Sequence, residues 1–266
     1  MRTAKTVLTV IQERGKQKKP IERVYKLLFN RELYLNAYAK LYPNNGAMTK
    51  GVTDETVDGM SIQKIDRMIE ILREEKYQWK PARREYIKKK NGKKRPLGIP
   101  VWGDKVLQEV MRQILEAYYE PQFSEHSHGF RPNRGCHTAL QEIQVWKGTR
   151  WFIEGDISQY FDTIDHKILL EILARNIHDG RFIRLISNML EAGYLEEWKF
   201  KQTISGVPQG GVISPILANI YLNEFDNWIE EVLIPKYTKG KRQKSNPEYN
   251  KLTAEIQKLR KEGDAK

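Results

Sequence analysis

The chain has 266 residues, enough for one or two domains with a core, and 39% of them are apolar. Its 46 Lys and Arg against 34 Asp and Glu give a net charge of +12, which repels itself in a compact fold and points to a polyanionic partner, nucleic acid first. The single Cys136 excludes an internal disulfide, His126, His128, His137, His166 and His178 fall in no HExxH or Cys-x-x-Cys pattern, and neither a run of about 18 apolar residues nor a secretory-signal block is present.

Residues 20–42 read as a helix: Pro20 suits a first turn, and Ile21, Val24, Leu28, Leu35, Tyr38 and Leu41 recur at helical spacing until Pro43-Asn44-Asn45-Gly46 breaks it. After a loop with Gly51 and Gly59, Ser61 is expected to cap a helix with Ile62, Ile65, Met68, Ile69 and Leu72 on one face. Residues 83–99 change character. Asn91-Gly92, set between two extended runs, signals a two-residue hairpin turn. Residues 80–95 hold nine Lys/Arg and one acid, Glu85. Unpaired charges are costly to desolvate, so this ribbon must stand in solvent or against phosphates.

Residues 104–120 predict a helix, with Val106, Val110, Ile114 and Tyr118 spaced by four. Trp151-Phe152-Ile153 opens an apolar strand ending at Asp156. Asp165 is expected to cap a helix from about His166 to Arg175, and residues 181–190 form another. A Gly/Pro-rich turn at 206–211 leads to a long helix from Ser214-Pro215, with Leu217, Tyr221, Phe225, Trp228 and Val232 as its buried stripe. A basic linker at 236–244 precedes a helix from Pro247 whose stripe, Leu252, Ile256 and Leu259, is too narrow for stability alone. No closing element is recognisable, so a piece of a longer protein is expected.

Chemistry concentrates in four places. A carboxylate at a strand end, Asp156, can face a cleft and hold Mg²⁺, and two-metal phosphoryl transfer needs two or more carboxylates around ions about 3.5–4 Å apart. Asp156 alone reads equally as a turn residue, and Tyr160 and Phe161 equally as core aromatics. In the run Ser205-Gly206-Val207-Pro208-Gln209-Gly210-Gly211, glycines allow close backbone approach, and Gln209 can hydrogen-bond a base or sugar; a tight connection fits as well. The basic hairpin suits a triphosphate or a nucleic-acid backbone. The run His128-Gly129-Phe130-Arg131-Pro132-Asn133-Arg134-Gly135 sets arginines beside an aromatic, which suits phosphates and stacked bases.

Taken together and in this order, these blocks resemble group II intron reverse transcriptases, also called maturases, over nearly the whole chain. The resemblance runs through residues 45–59, Arg83-Arg84, the run from Lys89 to Pro100, Ser127 to Pro132, Gly155-Asp156 through Phe161-Asp162, and Val207-Pro208-Gln209-Gly210 through Ser214-Pro215. It implies an α+β right-hand polymerase fold with fingers and an incomplete palm, the thumb absent. Fingers would be residues 1–105 (N-terminal helical block and basic hairpin) with a return at 167–207. The palm would be 106–166 and 208–235, and 236–266 the basic linker and helix preceding the missing catalytic block. By the same resemblance Asp156 is the catalytic, metal-binding carboxylate with the Ile157 carbonyl beside it, and Phe161 screens the sugar 2′ position. Lys89, Arg95 and, more weakly, Arg83 hold the incoming triphosphate, and Gln209 with Gly210 lines the nucleotide pocket. Lys88, Lys90, Lys93, Lys94, Arg131, Arg134, Lys241 and Arg242 are the RNA-binding candidates.

The hairpin carries a tension. A two-residue turn sets Lys88 opposite Arg95 and Lys89 opposite Lys94, so Lys89 and Arg95 face opposite sides. Either the loop is longer or one of the two does not hold the triphosphate. The sequence also departs from the family by an absence: it has no Asp-Asp pair. The Mg²⁺ site is therefore incomplete, and polymerisation by this chain alone is not expected. The implied partners are group II intron RNA, an RNA template with DNA primer, and deoxynucleotides, with a homodimer through an exposed palm edge. The expected place is the bacterial cytoplasm, away from membranes. Two alternatives stand beside this reading: a non-catalytic RNA-binding splicing module, and the reverse transcriptase of a retron, diversity-generating or CRISPR-associated system.

Overall fold

The computed structural model describes residues 2–88, 92, 94–146, 152–197, 199–203, 205–207, 210–238 and 246–263. In chain order the elements are α1 (Ala4–Lys16), β1 (Ile21–Glu22), α2 (Arg31–Leu41), α3 (Ile62–Arg73), β2 (Ala82–Lys88), β3 (Lys94–Ile99), α4 (Trp102–Tyr119), α5 (Cys136–Gln144), α6 (Tyr160–Thr163), α7 (His166–Asn176), β4 (Ile177–His178), α8 (Gly180–Glu191), β5 (Tyr194–Glu196), β6 (Lys199–Lys201), α9 (Ser214–Trp228), α10 (Ile234–Tyr237) and α11 (Pro247–Gly263). A 3-10 turn, Val24–Phe29, precedes α2, and a π-turn, Ile229–Leu233, joins α9 to α10. The chain divides into two compact units, residues 1–225 and 226–266. The architecture is mixed α and β, as the sequence implies.

Within the first unit the core forms around α4. Val106, Leu107, Val110, Met111, Ile114, Leu115 and Tyr118 are fully buried, a density of apolar surface that only a helix surrounded on most sides can use. α1 and α2 pack against it. Close approach of α1 depends on Gly15, where a Cβ would meet the Tyr118 carbonyl oxygen at 2.1 Å. Helix starts follow local chemistry: Ser61 accepts from Lys64 N, Asp165 from Ile168 N and Asp179 from Arg181 N. The first two are the caps expected from sequence.

A four-stranded sheet has the order β3-β2-β5-β6. β2 pairs antiparallel with β3 and parallel with β5, and β5 pairs antiparallel with β6. β1 and β4 make a separate two-residue parallel bridge, Ile21 opposite Ile177.

Four sequence expectations change. The helix expected over 20–42 begins only at Arg31, capped by Asn30, whose side chain accepts from Glu32 N. Upstream, Ile21 is drawn into the bridge to β4, Arg23 turns left-handed at φ 55°, and the Asp179 carboxylate takes the Tyr25 amide at 2.9 Å. These distant partners outweigh helical spacing. Next, the hairpin register sets Lys88 opposite Lys94 and Ile87 opposite Arg95. A two-residue turn at Asn91-Gly92 cannot give that register, so the longer-loop branch of the tension holds.

The run from Phe152 to Asp156 is not a strand: among the described residues no strand pairs with it, and Phe152 and Ile153 stand in solvent, Ile153 92% exposed. A strand requires a hydrogen-bonded neighbour, which apolar sequence does not supply. In α9, Leu217 is buried, but Phe225, Trp228 and, in the π-turn, Val232 are about half exposed. Ile216, Ala218 and Ile220 are buried in their place. Periodicity marks an apolar stripe without saying what covers it.

Candidate nucleotide and nucleic-acid site

The glycine-rich connection before α9 is the hub. Gly206 N donates to the Ile164 carbonyl at 2.8 Å and Val207 N to the Phe161 carbonyl at 2.7 Å. Ser205 Oγ reaches the Asp162 carbonyl at 3.1 Å, and His166 Nε2 lies 2.6 Å from the Gly206 carbonyl. Farther along, Val212 N donates to Gln108 Oε1 of α4 at 2.9 Å. Gly206 adopts φ +89° and Gly210 φ +105°, where L side chains are strained. Gly210 also lies against β3, because a Cβ there would sit 2.9 Å from the Gly98 carbonyl oxygen and 3.1 Å from Leu97 Cδ2. One loop therefore ties the turn bearing Phe161 to α4 and to the basic hairpin.

Alternation along the strands assigns the hairpin's faces. Arg83, Glu85 and Ile87 share a face with Arg95, Leu97 and Ile99, and Arg84, Tyr86 and Lys88 share the other with Lys94. Leu97 meets Gly210, so Arg95 and Arg83 belong to the face turned toward the glycine loop. Lys88 and Lys94 belong to the opposite face and stand directly across from each other. Like charges in that relation destabilise a ribbon unless an anion lies between them. Lys89, Lys90, Lys93 and Gln209 lie outside the described residues, as do Lys241 and Arg242.

The base of the hairpin is fixed by cations on backbone carbonyls. Arg83 donates from Nε and from its terminal nitrogen to the Lys50 carbonyl at 3.1 and 2.9 Å, and pairs with Glu85. Lys105 Nζ donates to the Gly46 and Thr49 carbonyls at 3.1 and 3.0 Å. Burial, then the nearby Arg83, holds the Lys105 ammonium below the usual lysine range. Residues 46–50 are thereby stapled to β2 and α4, and a cavity of about 280 Å³ under them is lined by Leu97, Trp102, Lys105 and Gly210.

Asp104 fixes the segment entering β2. Its carboxylate accepts from Tyr77 Oη at 2.6 Å and from Lys80 N at 3.0 Å. Burial pushes this carboxyl from an ordinary 3.8 up to about 6, against the hydrogen bonds from Tyr77 and Lys80. A raised folded-state value means that protonation favours the fold. The contribution is complete below about pH 4 and is lost as pH rises through about 6. Asp104→Asn is neutral throughout, so the wild-type minus variant unfolding free energy is expected to fall by roughly 3 kcal/mol between pH 4 and 7 in urea titrations. A pH-independent difference would refute this.

Phe161 packs against the core, with Phe130 edge-on at a centroid distance of 6.5 Å. Phe130 is 73% exposed and left-handed at φ 56°, an aromatic face offered to solvent on a stiff loop. Arg131 supplies the stiffness. Its guanidinium pairs with Glu120 at 2.9 Å and donates to the Ser124 and Ser127 carbonyls at 2.5 and 2.8 Å. At 8% exposure it has no donors left for RNA, which corrects its place among the RNA-binding candidates: a charge in an Arg-rich loop has gone to fold the loop. Arg134 also donates to a carbonyl, that of Glu125, while remaining partly exposed. Asp156 and Ile157 are exposed, in the unpaired run before Phe161.

Residues 87–241, more than half of the chain, match the family model described as reverse transcriptase (RNA-dependent DNA polymerase). The chain belongs to the reverse transcriptase family. It is 48% identical over 239 residues to the group II intron-encoded protein LtrA of Lactococcus lactis subsp. cremoris, covering 89% of this chain and 40% of that one. It is likewise 48% identical over 237 residues to an uncharacterized 91 kDa protein in a cob intron of Schizosaccharomyces pombe, covering 86% and 29%, and 39% identical over 241 residues to protein YkfC of Escherichia coli, covering 86% and 62%. This reverse transcriptase chain thus spans about 40% of LtrA. A solved structure titled "Partial Cas6-RT-Cas1--Cas2 complex" matches 78% of this chain and 35% of its own with a TM-score of 0.52 at 21% identity, a likeness of fold.

Reverse transcriptases generally use Mg²⁺. Among the described residues no three His, Cys, Asp or Glu side chains gather closely enough to hold an ion. Asp156, a lone exposed carboxylate, does not fit a two-ion cage by itself. No helix among the described residues is long and apolar enough to cross a membrane.

Sequence reasoning did not find Lys105 or Gln108. Both sit in α4 as polar residues interrupting an apolar helix, beside the buried Asp104 and Glu109. That interruption was the available signal, because a polar group inside a core helix must find a partner.

Proposed function

We propose that this chain forms the fingers and the beginning of the palm of a group II intron maturase-type reverse transcriptase. In this reading residues 1–105 and 167–207 are fingers, 106–166 and 208–235 palm, and 236–266 the approach to the catalytic block. The observation that carries it is the close approach of Gly210 to the Gly98 backbone and the Leu97 side chain, which turns the hairpin face bearing Arg95 toward the loop tied to Phe161. Arg95, with Arg83 behind it, grips the triphosphate of an incoming deoxynucleotide, Phe161 screens its sugar, and Gly210 with Gln209 lines the pocket. Asp156 and the Ile157 carbonyl supply one part of the Mg²⁺ site, and the remaining carboxylates are not in this sequence. The whole protein copies an RNA template from a DNA primer and binds its intron RNA, inside the cell. Identity favours the group II intron branch over CRISPR-associated enzymes, 48% against 21%.

The activity assigned to this chain itself is RNA binding. Fluorescence anisotropy with structured RNA is expected to give an affinity falling at least ~10³-fold between 50 and 200 mM salt, as for six or more phosphate contacts. Primer extension with Mg²⁺ and deoxynucleotides is expected to be absent. A flat salt response sinks the binding reading, and extension by the purified chain sinks the assignment of the missing carboxylates.

A further inference from the structure

α11 presents an apolar seam. Tyr249, Leu252, Ile256 and Leu259 are all half exposed or more, and their spacing of three, four and three residues is that of positions a and d over two heptads. With Tyr249 at a, the g positions are Glu248, Glu255 and Glu262, and the e positions are Thr253 and Arg260. Ile256 at a between Leu252 and Leu259 at d is the combination that favours two parallel strands.

Charge selects the same arrangement. In a parallel pair a g residue lies beside the e residue five positions on in the other helix, so Glu255 of each copy meets Arg260 of its mate. An antiparallel pair sets g against g, placing Glu255 near Glu255 and Glu248 near Glu262. Among the described residues neither Glu255 nor Arg260 is engaged in an ion pair within its own chain. From the seam and its flanking charges we infer that α11 is a dimerisation helix, pairing in parallel with α11 of a second copy of this chain.

Two heptads bury little area, so the association is weak and concentration-dependent. The inference does not depend on the polymerase reading.

Sedimentation equilibrium of the full 266-residue chain, under reducing conditions that keep the exposed Cys136 from cross-linking, tests it. A reversible monomer–dimer equilibrium is expected, and Ile256→Lys should move its midpoint about tenfold or more to higher concentration. At concentrations where both proteins are monomeric, circular dichroism of the variant should match the wild type, because the side chain is exposed in the single chain. Glu255→Lys and Arg260→Glu should each weaken the dimer, and the two together should restore it. A chain monomeric at several hundred micromolar overturns the proposal, the seam then belonging to another part of a longer protein. A dimer indifferent to Ile256→Lys overturns it in favour of another surface, such as the apolar run at 152–157. A tighter dimer in Glu255→Gln, which removes a Glu–Glu repulsion but would forfeit the Glu255–Arg260 pair, overturns the parallel arrangement.

Discussion

Gly206→Ala is expected to lower the melting temperature by roughly 6–12 °C, the equivalent of about 3 kcal/mol or more in a unit of this size. Two costs combine. At φ +89° an L side chain is held in a left-handed region that disfavours Cβ by about 1–2 kcal/mol. The added carbon would also lie 2.7 Å from the Phe161 carbonyl oxygen and 2.8 Å from Asp162 Cα, and both are backbone that cannot swing aside. Relief requires the loop to lift from α6. That breaks the bonds from Gly206 N to Ile164 and from Val207 N to Phe161, and the contact of His166 with the Gly206 carbonyl. Gly180→Ala is the control: it lies at the start of α8, with nothing within 4 Å of the new Cβ. It should be neutral within about 0.5 kcal/mol. Differential scanning fluorimetry separates the two, and amide exchange at Val207 should rise in Gly206→Ala alone. An unchanged melting temperature and protected Val207 would show that the loop is not clamped as described.

The sequence carried most of what is local. Ser61 and Asp165 were legible as caps because a cap is decided within three residues of the helix start. The two glycines that matter most were legible as glycines, and the order of the motif blocks named the family. What failed was decided at a distance. Tyr25 sits in a short 3-10 turn rather than the expected α-helix, its amide taken by Asp179, 154 residues away. Arg131 reads as an RNA ligand until Glu120 and two carbonyls are seen around it. The hairpin was correct in kind, but Asn91-Gly92 misdirected its register, since turn propensity is a preference that the pairing of the strands can override. The run from Phe152 to Asp156 has strand composition and, among the described residues, no strand beside it. Burial and pairing belong to the whole chain, and no window of residues contains them.

The register of the hairpin yields the sharpest functional expectation. Lys88→Gln with Lys94→Gln should weaken RNA binding by roughly 10- to 100-fold at low salt and reduce the salt slope by about 1.5–2, the loss of two phosphate contacts. The same double substitution should leave the melting temperature unchanged or slightly raised. The two lysines stand directly opposite each other in the ribbon, and removing that repulsion relieves up to about 0.5 kcal/mol. A structural pair would behave in the opposite way, costing stability and sparing affinity. Arg95→Gln provides the contrast, because Arg95 shares the Leu97 face that meets Gly210. Its loss should reduce RNA affinity by much less than the lysine pair does. If the three substitutions affect RNA binding equally, the two faces of the hairpin do not divide the work between nucleic-acid backbone and nucleotide, and the assignment of Arg95 to the triphosphate fails with it.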